Sequence, residues 1–201
     1  MKAESTSVDK APTGRPRDPR IDAAILAATA DLLVEIGYAN LTMAAIAERA
    51  GTTKTALYRR WPGKAELVHE AAFPTAPTAL TGPSGDIAAD VHAMLGAARD
   101  VFTSPVVRAA LPGLIADMAD DADLNARVMG RFAELFGTVR ARIVGAVNTG
   151  EVHADVDPDR LVELIGGVTL LRLLLAPADG LDDDWVDQTS AIIVHGVRRS
   201  A

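Results

Sequence analysis

The chain of 201 residues contains no cysteine, which excludes disulfides, thiolate metal sites and a cysteine nucleophile. That absence fits a reducing cytoplasm, the expected location. The N-terminal stretch MKAESTSVDKAPTGRPRDPR lacks the apolar core of a signal peptide, so no export is expected. No run of apolar residues is long enough for a membrane span of roughly 20 residues. The most apolar stretch, residues 161–176, is interrupted by Glu163 and Arg172 and is expected to be a buried helix. Catalytic signatures are missing too. The histidines, His69, His92, His153 and His195, lie too far apart for a local metal motif, and there is no nucleophile-elbow or phosphate-loop pattern. Asp155, Asp157 and Asp159 lack the glycine and the closing glutamate of a calcium loop. They read as helix-start carboxylates, as do Asp182, Asp183 and Asp184. No cofactor, no metal and no enzymatic activity is expected.

The formal net charge of −7 argues against a nucleic-acid partner until its distribution is considered. Residues 1–70 hold ten Lys and Arg against nine Asp and Glu, a net of +1, and the remainder a net of −8. The bases cluster: Arg15, Arg17 and Arg20 lie before and at the start of the first expected helix, and Lys54, Arg59, Arg60 and Lys64 surround another. A local cationic face on an acidic body confines binding of a polyanion to that face.

The stretch 42–67, TMAAIAERAGTTKTALYRRWPGKAEL, organises the rest. Thr42 is expected to cap a helix running to about Ala50, with Met43, Ile46 and Ala47 on its buried face. Gly51 supplies the backbone freedom for a sharp turn, and Thr53 caps a second helix. That helix turns Ala56 and Leu57 inward and leaves Thr53, Lys54, Thr55, Tyr58 and Arg59 facing out. It is short, polar and cationic with no acidic residue, the composition of an element that lies against base edges and phosphates. The stretch resembles the helix-turn-helix of TetR-type transcriptional regulators, T-x-x-x-I-A-x-x-A-G-V-S-x-x-T-L-Y-x-x-F-x-x-K-x-x-L. Thr42, Ile46, Ala47, Ala50, Gly51, Leu57, Tyr58, Lys64 and Leu67 match in register, and Trp61 stands where the family usually has Phe. Thr52, Thr53 and Ala56 depart from the usual Val, Ser and Thr; Ala56 removes one possible DNA contact, so an operator sequence does not transfer from a relative.

Taken in order, residues 1–17 read as a disordered basic arm. Gly14-Arg15-Pro16-Arg17 is either a solvated tail or an extended segment for an A·T-rich minor groove. Residues 18–73 read as the DNA-binding domain with its connecting helix. Asp18 and Pro19 open the first helix, a stripe of Ile21, Ile25, Ala28, Leu32 and Ile36 faces the core, and Gly37 stops it. Residues 74–85, rich in Pro, Gly and Thr, form a linker. Residues 86–201 read as helices over 87–102, 105–118, 123–147, 158–175 and 185–197; in the small-molecule pocket that the resemblance implies among them, Leu111-Pro112-Gly113 is the expected loosening of the wall. The fold is thus all-α with about nine helices. The helix of 158–175 is apolar nearly all round and needs cover on several sides, from this chain or from a second copy.

The resemblance implies more than the residues do. It implies a homodimer joined through the last two helices of each subunit, reading a palindromic operator in double-stranded DNA. It places Tyr58 and Lys64 on the DNA backbone. Thr53, Lys54 and Thr55 are the candidates for base edges; Thr42, Tyr58, Arg59, Arg60 and Lys64 for phosphates; Arg15 and Arg17 for the minor groove. It further implies a small-molecule effector of mostly hydrophobic character bound among the later helices, with Met94, Phe102, Met118, Phe132 and Phe136 as candidate lining. By helical spacing alone, Met and Phe residues are core more often than pocket lining, and each of these five reads first as a core residue. The function expected is a transcriptional regulator, a repressor released by its effector; the alternative is a DNA-binding regulator that is constitutive or controlled by a partner protein.

Overall fold

The structure, a computed structural model, describes residues 19–74, 84–175 and 180–197, with Glu134 described by its backbone alone. Nine helices lie among the described residues: α1 Pro19–Asn40, α2 Met43–Arg49, α3 Lys54–Tyr58, α4 Lys64–Ala72, α5 Ile87–Thr103, α6 Pro105–Asp120, α7 Ala122–Thr149, α8 Pro158–Leu175 and α9 Asp183–Val197. The basic arm with Arg15 and Arg17, the cap at Asp18 and most of the linker lie outside them. No single helix among the described residues is long and apolar enough to cross a membrane.

Local signals set most helix ends. The α1 helix breaks at Gly37, whose φ of 74° is open to glycine at little cost, and its last residues continue beyond that kink. The Thr42 side chain accepts the Ala45 N–H at 3.1 Å and that of Thr53 accepts the Ala56 N–H at 3.2 Å, so both helix-turn-helix elements start on a threonine cap. Asp86 and Asp121 cap α5 and α7 in the same way. Asp182 accepts the Trp185 N–H at 2.8 Å, and Asp157 accepts the Asp159 N–H at 2.9 Å, so both acids act at helix starts.

Two cores organise the packing. The first joins Ile25, Leu32 and Leu33 of α1, Ile46 of α2, Leu57 of α3 and Leu67 and Val68 of α4 to Val107, Ala110, Leu111 and Leu114 of α6 and to Leu124 and Val128 of α7. The second joins Val91, Met94 and Leu95 of α5 to Ile143 of α7, Leu161 and Ile165 of α8 and Val186, Ile193 and Val194 of α9. The sequence places the boundary between DNA-binding and later helices at the linker, yet α6 shares its apolar face with α1 and α4. The reason is directional: α5 and α6 bend by 82° at their junction, which turns α6 away from the second core and onto the first. The α1 stripe is also shorter than its periodicity suggests. Ile25, Ala28 and Leu32 are buried, whereas Ile21 and Ile36 are each 38% exposed, beyond the reach of the helices packed on the middle of α1.

The helix expected over 105–118 is α6, which runs through Pro112 without a break. Gly113 has another task. A Cβ there would run into the Tyr38 ring at Cδ1, so only glycine lets the tyrosine reach the α6 backbone.

Candidate nucleic-acid interface

The α3 helix is held from behind and open in front. Leu57 is fully buried in the first core, Trp61 just beyond the helix is 3% exposed, and the Trp61 indole N–H donates to Glu70 at 2.9 Å. These anchors fix the helix and leave Thr53, Lys54, Thr55, Tyr58 and Arg59 exposed, with Thr42 exposed at the start of α2. Tyr58 is 55% exposed, more than packing alone accounts for in a large aromatic residue. The γ-oxygens of Thr42 and Thr53 are occupied as acceptors by their caps but keep an O–H to donate.

Arg60 is elsewhere. Its guanidinium donates through Nε to Asp22 and through Nη1 to the Ala56 carbonyl at 3.0 Å, and its side chain is only 5% exposed. The expected phosphate contact is therefore corrected: Arg60 ties the end of α3 to the first turn of α1. Sequence alone could not separate it from Arg59, since both follow Tyr58 and only the rotation of a short helix decides which one points out. Another base nearby is spoken for as well. Arg49 makes a two-pronged pair with Glu35, at 2.7 and 2.9 Å. On α3 and the turn that follows it, Lys54 and Arg59 are the exposed cations, with Lys64 at the edge of the face.

Lys64 opens α4 and is half-buried, its ammonium 3.2 Å from the Tyr38 carbonyl and 4.0 Å from the centre of the Tyr38 ring. Behind it, α4 is bound to α7 by charge. Buried Glu66 pairs with Arg127 at 2.9 Å, and Glu70 with Arg131 at 2.8 Å. His69 is 2% exposed, and neither ring nitrogen has a hydrogen-bond partner among the described residues. Its ring lies 5.2 Å from that of Phe73 and 5.0 Å from that of Phe132. Burial, with the Arg131 charge adding to it, holds the His69 imidazole down at a pKa of about 4. Phe136 stacks on Phe132 at 5.8 Å and is 42% exposed.

The five candidate lining residues thus separate. Phe132 and Phe136 join the aromatic cluster around His69, Phe102 and Met118 pack on the same first core, and Met94 belongs to the second. A cleft of about 490 Å³ between α5 and α9, lined by His92, Ser190, Val194 and His195 among others, contains none of the five. Neither the sealing of His69 nor the contact of Asp117 with Tyr38 is visible in the sequence. His69 and Phe73 stand one helical turn apart in the sequence, but nothing in the chain indicates that α7 closes over the imidazole.

Residues 25–71 match the family signature described as bacterial regulatory proteins, tetR family, and residues 82–193 match the tetracyclin repressor-like C-terminal domain. The chain belongs to the TetR family. This TetR-family protein is 30% identical to the uncharacterised HTH-type transcriptional regulator YdeS of Bacillus subtilis, over 94% of this chain and 95% of that one. It is 29% identical to a DNA-binding transcriptional repressor TetR of Mycobacteroides abscessus, over 82% of this chain and 86% of the relative. Among solved structures, the TetR family transcription regulator SCO0332 is 31% identical, with a TM-score of 0.67 over 90% of this chain and 100% of that one. A TetR regulator from Haloarcula marismortui, 19% identical, shares the fold at a TM-score of 0.70 over 90% of this chain and 100% of that one. The protein is a DNA-binding regulator of the TetR type, and the family is one of regulators rather than enzymes.

Proposed function

We propose that this TetR-family regulator is a repressor that grips a palindromic operator as a homodimer and is released by a small, mostly hydrophobic effector. The observation that carries the reading is α3: a capped helix pinned from behind by Leu57 and Trp61, presenting Lys54, Thr55, Tyr58 and Arg59 and no acid. Lys54, Thr55 and Thr53 supply donors for base edges, and Arg59, Tyr58, Thr42 and Lys64 supply phosphate contacts. Arg15 and Arg17 belong to the proposal as minor-groove contacts on sequence grounds alone. The Mycobacteroides relative, a repressor by name, supports that sign of regulation.

Dimerisation rests on α8 and α9. Leu164, Leu171, Leu174, Leu175 and Ile192 are exposed by half or more, which a lone subunit would leave in water. Two copies joined there bring two α3 helices to one side, where successive major grooves demand a separation of roughly 34 to 36 Å. The effector is placed beside the aromatic cluster of Phe73, Phe132 and Phe136, with Phe102 and Met118 in the same core, because a ligand there touches both α4 and α7. It weakens DNA binding by the difference in its affinity for the two states.

The test is selection of bound sequences from a random DNA pool, repeated with a panel of hydrophobic compounds. A palindrome released by one compound supports the whole reading. A palindrome released by none transfers control to a partner protein or leaves the regulator constitutive, and no enriched sequence would sink the reading.

A further inference from the structure

Tyr38 sits where α1, α6 and the start of α4 meet. It follows the break at Gly37, is 7% exposed, and lies with its ring on the α6 backbone at Gly113. One turn further along α6, the Asp117 carboxylate accepts the Tyr38 hydroxyl. Burial first, and that carboxylate second, push the phenol well above its ordinary pKa, so the hydroxyl stays a donor. On its other side the same residue holds Lys64 twice, through its carbonyl at 3.2 Å and its ring face at 4.0 Å. Both grips act on one compact cation.

We infer that Tyr38 is a positioning residue which sets the place of the Lys64 ammonium according to the position of α6. The inference rests on the proposed DNA-binding role of Lys64. The physical ground is the absence of slack. With Gly113 in contact and Asp117 on the hydroxyl, a shift of α6 has to move the ring, and the ring carries the ammonium that would meet a phosphate. This route runs from α6 through α1 to Lys64 and needs no motion of α4 as a body. It also gives Gly113 a reason beyond helix packing.

The chain has four lysines, Lys2, Lys10, Lys54 and Lys64, so carbon-13 methylation of the full-length protein gives a small set of NMR signals. The Lys64 signal is assigned with Lys64→Arg and is expected upfield of the others, under the ring current of Tyr38. Gly113→Ala, which forces the ring off α6, and Asp117→Ala, which frees the hydroxyl, are both expected to move that signal toward the others. Gly113→Ala is further expected to lower the salt slope of DNA binding by about one unit, as Lys64→Ala does, with no added loss in the double variant. A Lys64 signal that stays in place in both folded variants overturns the inference. So do losses that add in the double variant. If Gly113→Ala fails to fold, Asp117→Ala decides. The NMR readout needs no DNA, so a wild-type protein that binds none refutes the DNA-binding reading separately from the Tyr38 linkage.

Discussion

Arg59 and Arg60 are adjacent and chemically identical, yet their surroundings give them different work. Arg59 is exposed beside Tyr58, while Arg60 is folded back onto Asp22. Arg59→Ala is expected to weaken binding to all DNA sequences alike, lowering the salt slope by about one unit, with unchanged thermal stability. Arg60→Ala is expected to cost about 2 kcal/mol in urea unfolding, since it strands Asp22 and empties packed space. Equal stability of the two variants would show that the Asp22 pair carries no weight. His69 offers a different kind of test. Its imidazole titrates near 4 in the fold and at 6.5 when free, so between those values the unfolded chain takes up a proton that the folded one refuses. The stability is full above pH 6.5 and falls as pH drops toward 4, by about 2 kcal/mol after allowance for screening. Unfolding at pH 7.5 and 5 should show this loss in the wild type and much less of it in His69→Phe. A variant with the same pH dependence as the wild type would remove His69 as its source.

At the scale of the element, α3 has five residues, too few to persist without help. It persists because Thr53 caps one end, Leu57 anchors the middle, and Arg60 and Trp61 fix the turn that leads into α4. Thr53→Ala is expected to cost about 1 kcal/mol and to reduce DNA affinity with it, whereas Thr53→Ser restores the cap and the stability. Urea unfolding of both variants checks the stability, and serine failing to rescue it would mean that the threonine methyl matters more than its oxygen. The helix-turn-helix was legible because caps, the Gly51 turn and apolar spacing all act locally. Gly51 has a φ of 63°, the left-handed value that its place in the turn requires. The helix over 105–118 was legible too, but its packing was not: Pro112 normally signals a break, and what holds α6 together is burial of Leu111 and Leu114 against α1 and α4.

At the scale of the molecule, α8 buries Leu161, Ile165 and Thr169 on one side and leaves Leu164, Leu171, Leu174 and Leu175 on the other. Glutamates at Leu171 and Leu174 together are expected to convert a dimer into folded monomers in sedimentation, with a large loss of operator affinity because two half-sites no longer act as one. A double variant that sediments as the wild type does would place the dimer contact elsewhere. The second core, built by α5, α7, α8 and α9, would carry that interface. The first core would carry the DNA contacts, and α6 and the start of α7 belong to it although they come after the linker in sequence.

The sequence by itself determined the class of the molecule: helices by apolar spacing, their ends by threonine, aspartate and glycine, and the DNA-reading pair by a pattern contained in residues 42–67. Those signals are local, and a chain displays them before it folds. Tertiary structure alone decided which bases face outward, why Gly113 is a glycine, that Tyr38 joins Asp117 to Lys64, and that His69 is sealed among aromatic rings. Each of these depends on the angle at which one helix crosses another, and no spacing along the chain encodes an angle between elements far apart in it.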